Sequence, residues 1–193
     1  MRRWIHSAVA VAVLVPGVVG PASAVHAQEP ELGRAGFVRA VADFYQVTTE
    51  EVGILSDWGL PVPEVAVALF IASRSGVSAE ALVALRGTGR SWGELAGRYH
   101  LDASHFHVPL PSGASAGPLN PAYEGYRSME PRQWSSLRLD DEQILMLVNV
   151  RILSQTLRVS PEAVLARVRP GRSFVEVYAD MVRSPRFQDG AGG

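Results

Sequence analysis

The sequence predicts an all-α protein on three observations. A nineteen-residue signature recurs at an offset of 82 residues, Ser-x-x-Glu capping boxes stand at the same place in both copies, and an apolar segment of helical length precedes each copy. The copies are Val77–Leu95 (VSAEALVALRGTGRSWGEL) and Val159–Val177 (VSPEAVLARVRPGRSFVEV). They share Val77/Val159, Ser78/Ser160, Glu80/Glu162, Ala81/Ala163, Ala84/Ala166, Gly89/Gly171, Arg90/Arg172, Ser91/Ser173 and Glu94/Glu176, with Trp92 over Phe174. Two copies at so long a period point to a duplicated three-helix unit packed as one domain, since a solenoid needs three or more repeats.

Taken in order, residues 1–27 read as a cleaved export signal. Arg2-Arg3 supplies the positive start and Ala8–Val15 the apolar stretch, which Pro16-Gly17 ends. Ala22-Ser23-Ala24 and Val25-His26-Ala27 both fit the small-x-small cleavage pattern. The general secretory route fits the residues around Arg2-Arg3 better than the twin-arginine route. The apolar stretch is shorter than the ~20 residues of a spanning helix, and no later run approaches that length. The expectation is a soluble periplasmic or secreted protein with no membrane span after cleavage.

The N-terminal helical unit, 28–107, opens with a helix over about Gly36–Gln46, followed by a capping box at Thr48/Glu51. An apolar helix over about Glu64–Arg74 comes next. A second helix starts at the N-cap Ser78, and a third at Ser91 after a glycine turn, with Glu94 completing a box. Residues 108–137 hold five prolines and three glycines and read as an irregular linker, whose Tyr123, Tyr126 and Trp134 are expected to pack on the helices. The C-terminal helical unit, 138–185, repeats the plan. Asp140 and Gln143 pair ahead of the apolar helix at about Glu142–Thr156, Ser160-Pro161 starts the second helix, and Ser173/Glu176 box the third. Residues 186–193 read as a disordered tail.

Composition then removes whole classes of chemistry. The 193 residues carry no cysteine, and all 18 positive charges are arginine. Thiol nucleophiles, disulfides and Cys-ligated metals are excluded, as are Schiff-base lysines and a P-loop lysine. Without its first 27 residues the chain keeps 166 residues, and 16 arginines against 19 acids give a formal charge of −3. That length supports a core without disulfides, and that charge gives no reason to expect nucleic acid as a partner.

Several residues invite a chemical reading. His100, Asp102, His105 and His107 form a ligand-like cluster that would suit a divalent transition metal such as zinc, copper or nickel, although His100 also suits a helix C-terminus. Arg90 and Arg172 sit beside helix starts, where they could contact an anion or a partner. Glu94 and Glu176 resemble a paired acid–base set, but their place in the capping boxes accounts for both. Trp92 and Phe174 read as structural anchors, and Asn149 as a hydrogen-bonded core residue. Gly113-Ala-Ser115-Ala-Gly117 spells a nucleophile elbow without the strand that such an elbow needs. No convincing catalytic set emerges. Glu80–Tyr99 also matches a helix-turn-helix, whose third helix would enter the major groove of DNA. Against that stand the export signal, the negative charge, and Trp92, Leu95 and Ala96 where base contacts would be needed.

The string Ser-x-Glu-x-(apolar)2-Ala-x-Arg-x-x-Gly-Arg-Ser-Trp-x-Glu-(apolar)-Ala, with Leu-Val-Asn-Val-Arg-Ile-Leu-Ser in the second half, resembles a group of exported bacterial proteins with tandem GRSW/GRSF-type units. The resemblance covers most of residues 36–182. It implies an exported helical duplication and brings no function and no catalytic residues with it. Arg86 stands before the turn in copy one and Val168 in copy two, so asymmetric binding by the halves is expected. The functional expectation is an exported interaction protein of the bacterial cell envelope, with a protein or envelope component as partner, or with itself. An exported metal-binding protein and a DNA-binding protein are the alternatives.

Overall fold

A computed structural model describes residues 22–184, and within them the chain is helical, with no β-strand. The helices are α1 (Ala22–Tyr45), α2 (Thr49–Asp57), α3 (Val62–Ser75), α4 (Ala79–Gly87), α5 (Trp92–Arg98), α6 (Ala103–Phe106), α7 (Asn120–Ser128), α8 (Asp141–Thr156), α9 (Pro161–Leu165) and α10 (Phe174–Arg183). Most of the expected export signal, residues 1–21, lies outside the described residues, as does the expected tail at 186–193. Both candidate cleavage positions, after Ala24 and after Ala27, fall within the first turns of α1.

Two apolar helices form the centre. In α3 every residue from Val65 to Ile71 is buried, and in α8 so are Ile144, Met146–Val150 and Ile152–Ser154. They pack on each other, joined by a polar stitch. The Asn149 amide nitrogen donates to the Pro63 carbonyl at 3.0 Å and to the Leu145 carbonyl at 2.8 Å, tying α8 to the first turn of α3. Asn149 is fully buried, and these bonds offset the cost of burying its amide nitrogen, while its Oδ1 is buried without a hydrogen-bond partner. One contiguous hydrophobic cluster runs from Phe37 to Met181.

The caps follow the sequence. Ser78 and Ser160 accept from the amides of Ala81 and Ala163, and reciprocal boxes form at Ser91/Glu94, Ser173/Glu176 and Asp140/Gln143. Thr48 accepts from the Glu51 amide at 3.0 Å. Gly89 and Gly171, at φ +90° and +77°, make the turns that precede the two third helices. Helices and caps thus correspond between the segments, although α9 is shorter than α4 and α5 leads on into α6.

Two elements differ from expectation. The first helix begins at Ala22 rather than Gly36, running straight through Gly33 and Gly36. Both glycines lie where α1 closes on α10. A Cβ on Gly33 would stand 2.9 Å from the Ala179 Cβ, and one on Gly36 only 2.6 Å from Tyr178 Cε1. Close packing, not a helix break, explains them. The linker is also more ordered than its composition suggests, because it contains α7 and 3-10 turns at Gly117–Leu119 and Pro131–Ser136. Pro118, Pro121 and Pro131 stand in first turns, where a missing N–H costs nothing. Tyr123 and Tyr126 are buried as expected, and Leu137 covers Gly125.

Among the described residues, no single helix is long and apolar enough to cross a membrane. Only α2 and α3 together reach that length and composition, bent by 112°, and their Val52, Leu55 and Val65–Ile71 are buried in the core.

Substituting Gly33→Ala is expected to destabilise the fold by ~1–3 kcal/mol, since overpacking outweighs the gain in helix propensity. Ala179→Gly in the same chain should recover part of the loss in urea unfolding. Recovery absent from the double variant would remove the close contact as the cause.

Candidate functional site

The polar side chains of the first half converge on Arg86. From α4 its Nε lies 2.9 Å from Glu64 Oε2 on α3, and one terminal nitrogen lies 2.6 Å from Asp141 Oδ2 on α8 and donates to the Arg90 carbonyl at 2.9 Å. The other Asp141 oxygen accepts the Trp92 amide at 2.7 Å, and the Trp92 indole N–H donates to Glu64 Oε2 at 3.1 Å. The guanidinium carbon stands 5.1 Å from the Trp92 ring centroid. Burial alone would lower the Arg86 pKa, but hydrogen bonds and charge from Glu64 and Asp141 hold it above its ordinary value.

At an offset of 82 the residues matching Glu64, Arg86 and Trp92 are Met146, Val168 and Phe174, all buried. Acceptor, cation and indole donor are exchanged together. A partial exchange would leave an unpaired charge or N–H half-buried.

Trp92 is buried as an anchor and is also a donor in the Arg86 network, while Phe174 is buried purely as an apolar anchor. Glu94 and Glu176 accept the amides of Ser91 and Ser173 at 2.8 and 2.7 Å, as their boxes require. The Ser173 amide and hydroxyl hold the Glu176 carboxyl below its ordinary pKa. Arg90 is exposed, and Arg172 lies 3.6 Å from Asp180 Oδ2, which Arg167 also approaches at 3.4 Å. The repeated arginines therefore do different things.

The His/Asp cluster is drawn apart. Asp102 is the N-cap of α6, where its Oδ1 accepts from the Ser104 amide at 2.9 Å and the Ser104 hydroxyl at 2.5 Å. His105 Nδ1 accepts the Asp102 amide at 3.2 Å when neutral, and once protonated it can donate to Asp102 Oδ1 at 3.1 Å. His100, at φ +61°, is exposed on the rim of a 370 Å³ groove that also involves Asp102, Phe106 and Arg138. His107 instead packs into an aromatic nest. Its ring centroid lies 4.3 Å from that of Trp134 and 4.7 Å from that of Tyr126. Among the described residues, no group of three His, Asp or Glu side chains is placed to hold a metal ion. Ser115 stands in an exposed turn, its hydroxyl accepting from the Gly117 amide at 3.2 Å. The third helix of the helix-turn-helix reading, α5, buries Trp92, Leu95 and Ala96 and exposes Glu94, Gly97 and Arg98.

The aromatic nest is held by hydrogen bonds as well as ring contacts. Tyr123 donates to the Val108 carbonyl, Tyr126 to the Ala103 carbonyl at 2.7 Å, and Trp134 to the Tyr126 carbonyl at 2.9 Å. Arg151 reaches in from α8 and donates to the carbonyls of His105 and His107 at 3.1 and 2.8 Å. Its cation also faces Phe70, which stacks on Phe106 at 4.9 Å. Sequence reasoning singled out Tyr123, Tyr126 and Trp134 but passed over Arg151. The available signal was a charge inside the apolar run Ile144–Leu153, two residues after Asn149.

Comparison of the chain with protein-family models, with curated proteins and with solved structures finds no match. The functional reading therefore rests on the chain's own residues.

The Arg86 network gives a direct test. Arg86→Val alone should cost ~2–3 kcal/mol in urea unfolding by stranding Glu64 and Asp141. Adding Glu64→Met and Trp92→Phe, the set found in the second half, should recover at least half of that. A triple variant no better than the single would refute the concerted exchange.

His107 gives a test in pH. Burial, then the Arg151 charge, hold its pKa below the ordinary value. The unfolded chain therefore takes up the proton first, and this contribution to stability is full above about pH 6.5 and is lost as pH falls towards the folded value. The ring should titrate below 6.5 by NMR, and His107→Phe should flatten the loss of stability between about pH 7 and 5. An unchanged slope would contradict the assignment.

Proposed function

We propose that the chain is an exported helical interaction protein of the bacterial cell envelope, which works by contact with a protein partner rather than by bond-making chemistry. What carries it is the exposed side of α2 and its C-cap residue Trp58. Ile54 and Trp58 are 47% and 55% exposed and stand one helical turn apart, while Val52 and Leu55 of the same helix point into the core. The two exposed side chains serve no core, and large aromatics on such a face are the residue type that dominates binding energy at interfaces. The signal-like N-terminus supports delivery to the envelope, and a second copy of the chain is an alternative occupant of the same face. The metal-binding alternative has only the Asp102–His105 pair in contact, and that pair already caps α6. The DNA-binding alternative has one arginine on the exposed side of α5.

A photo-crosslinking residue at position 54 of the exported chain tests the reading in living cells. The expected result is a mature protein beginning after Ala24 or Ala27, with a discrete adduct that weakens about ten-fold or more on Trp58→Ser at equal abundance. An adduct of twice the mature mass would assign the face to self-association. No adduct, or one indifferent to Trp58→Ser, would overturn the interaction face, and an uncleaved cytoplasmic chain would overturn the envelope assignment.

A further inference from the structure

Two arginines on different central helices meet at one ring. The guanidinium carbon of Arg74, on α3, lies 3.8 Å from the Phe70 centroid, and that of Arg151, on α8, lies 4.9 Å from it. Neither has an acidic partner among the described residues. Arg74 donates to the Ser73 hydroxyl at 3.3 Å, and Arg151 donates only to the two backbone carbonyls of His105 and His107. The other terminal nitrogen of Arg151 is buried with no hydrogen-bond partner.

A third helix adds another donor. The Tyr45 hydroxyl, near the end of α1, is also buried without a partner, and it lies within electrostatic reach of both guanidinium groups. Burial raises the Tyr45 pKa despite these two charges, so the hydroxyl keeps its proton and can donate. Burial, and then the Arg74 charge, lower that of Arg151, the direction expected of a cation facing a like charge without an anion. Two cations thus flank one ring, with an orphaned donor on Arg151 and another on Tyr45 within electrostatic reach, and neither guanidinium has an acidic partner among the described residues. A water molecule can satisfy a donor, but it neutralises neither charge.

We propose that Arg74, Arg151 and Tyr45 form a binding site for a carboxylate or small oxyanion, with the exposed Arg74 at the solvent side and Arg151 and Tyr45 within. A charged acceptor satisfies the whole set at once, since guanidinium groups match the geometry of planar carboxylates and of phosphate oxygens alike. The site is distinct from the α2 face, and its test does not depend on that reading.

The purified chain is melted in sodium chloride, sodium acetate and sodium phosphate at equal ionic strength and pH 7. The expected result is a saturable rise in melting temperature in acetate or phosphate above that in chloride, because a ligand held by the folded state alone stabilises it. A rise in acetate alone assigns a carboxylate, and a rise in phosphate alone assigns a tetrahedral oxyanion. Arg74→Gln should weaken the apparent affinity about ten-fold or more. Tyr45→Phe, which keeps the ring, should fold as well as the parent in chloride and lose part of the anion-dependent rise. Equal melting in all three salts, or an Arg74→Gln chain that saturates at the same concentration as the parent, would overturn the proposal.

Discussion

Arg86 is the joint on which the first half of the molecule turns. Its guanidinium and the Trp92 indole share the Glu64 carboxylate, and Asp141 answers both Arg86 and the Trp92 amide, so α3, α4, α5 and α8 are fixed by one set of bonds. Hydrophobic packing alone tolerates small rotations of one helix against another. Directional bonds to charged groups do not, and here they select one arrangement. The cost is two partly desolvated carboxylates that only an intact network can offset. At an offset of 82, Met146, Val168 and Phe174 are buried apolar side chains without such directional bonds.

Much of the fold was legible because capping chemistry is local. A serine three residues ahead of a glutamate specifies a helix start without reference to the rest of the chain, and Ser91 and Ser173 behave accordingly. The same rule found Asp140 but missed its equivalent at Asp102, because His105 filled the place of the usual glutamate and invited a metal reading instead. What sequence could not reveal is tertiary in origin. Gly36 looked like a helix start, yet Gly33 and Gly36 are spacers for a neighbouring helix 146 and 142 residues further on, at Ala179 and Tyr178. Three of the five linker prolines, Pro118, Pro121 and Pro131, open helical turns instead of breaking the chain's order.

The candidate sites divide along the same line. Residues picked out by repetition proved to be architectural: Glu94 and Glu176 cap helices, and Arg172 pairs within the last turn-and-helix segment. Repetition reports what both halves need in order to fold. Arg74 and Arg151, the two guanidinium groups at Phe70, have no counterpart of the same kind at an offset of 82, where Thr156 and Leu69 stand.

The close seam between α1 and α10 has a consequence for the order of assembly. Phe37 sits edge-on against Tyr178 and is fully buried, with Gly33 pressed to Ala179 beside it. That seam joins the first described helix to the last, so although α2, α3 and α8 also pack on α1, this face of it obtains no cover until α10 has been delivered. Contacts this distant in sequence close slowly, because the intervening chain must first be gathered in. A chain that emerges from its N-terminus onward therefore holds one face of its first described helix open until α10 arrives to seal it.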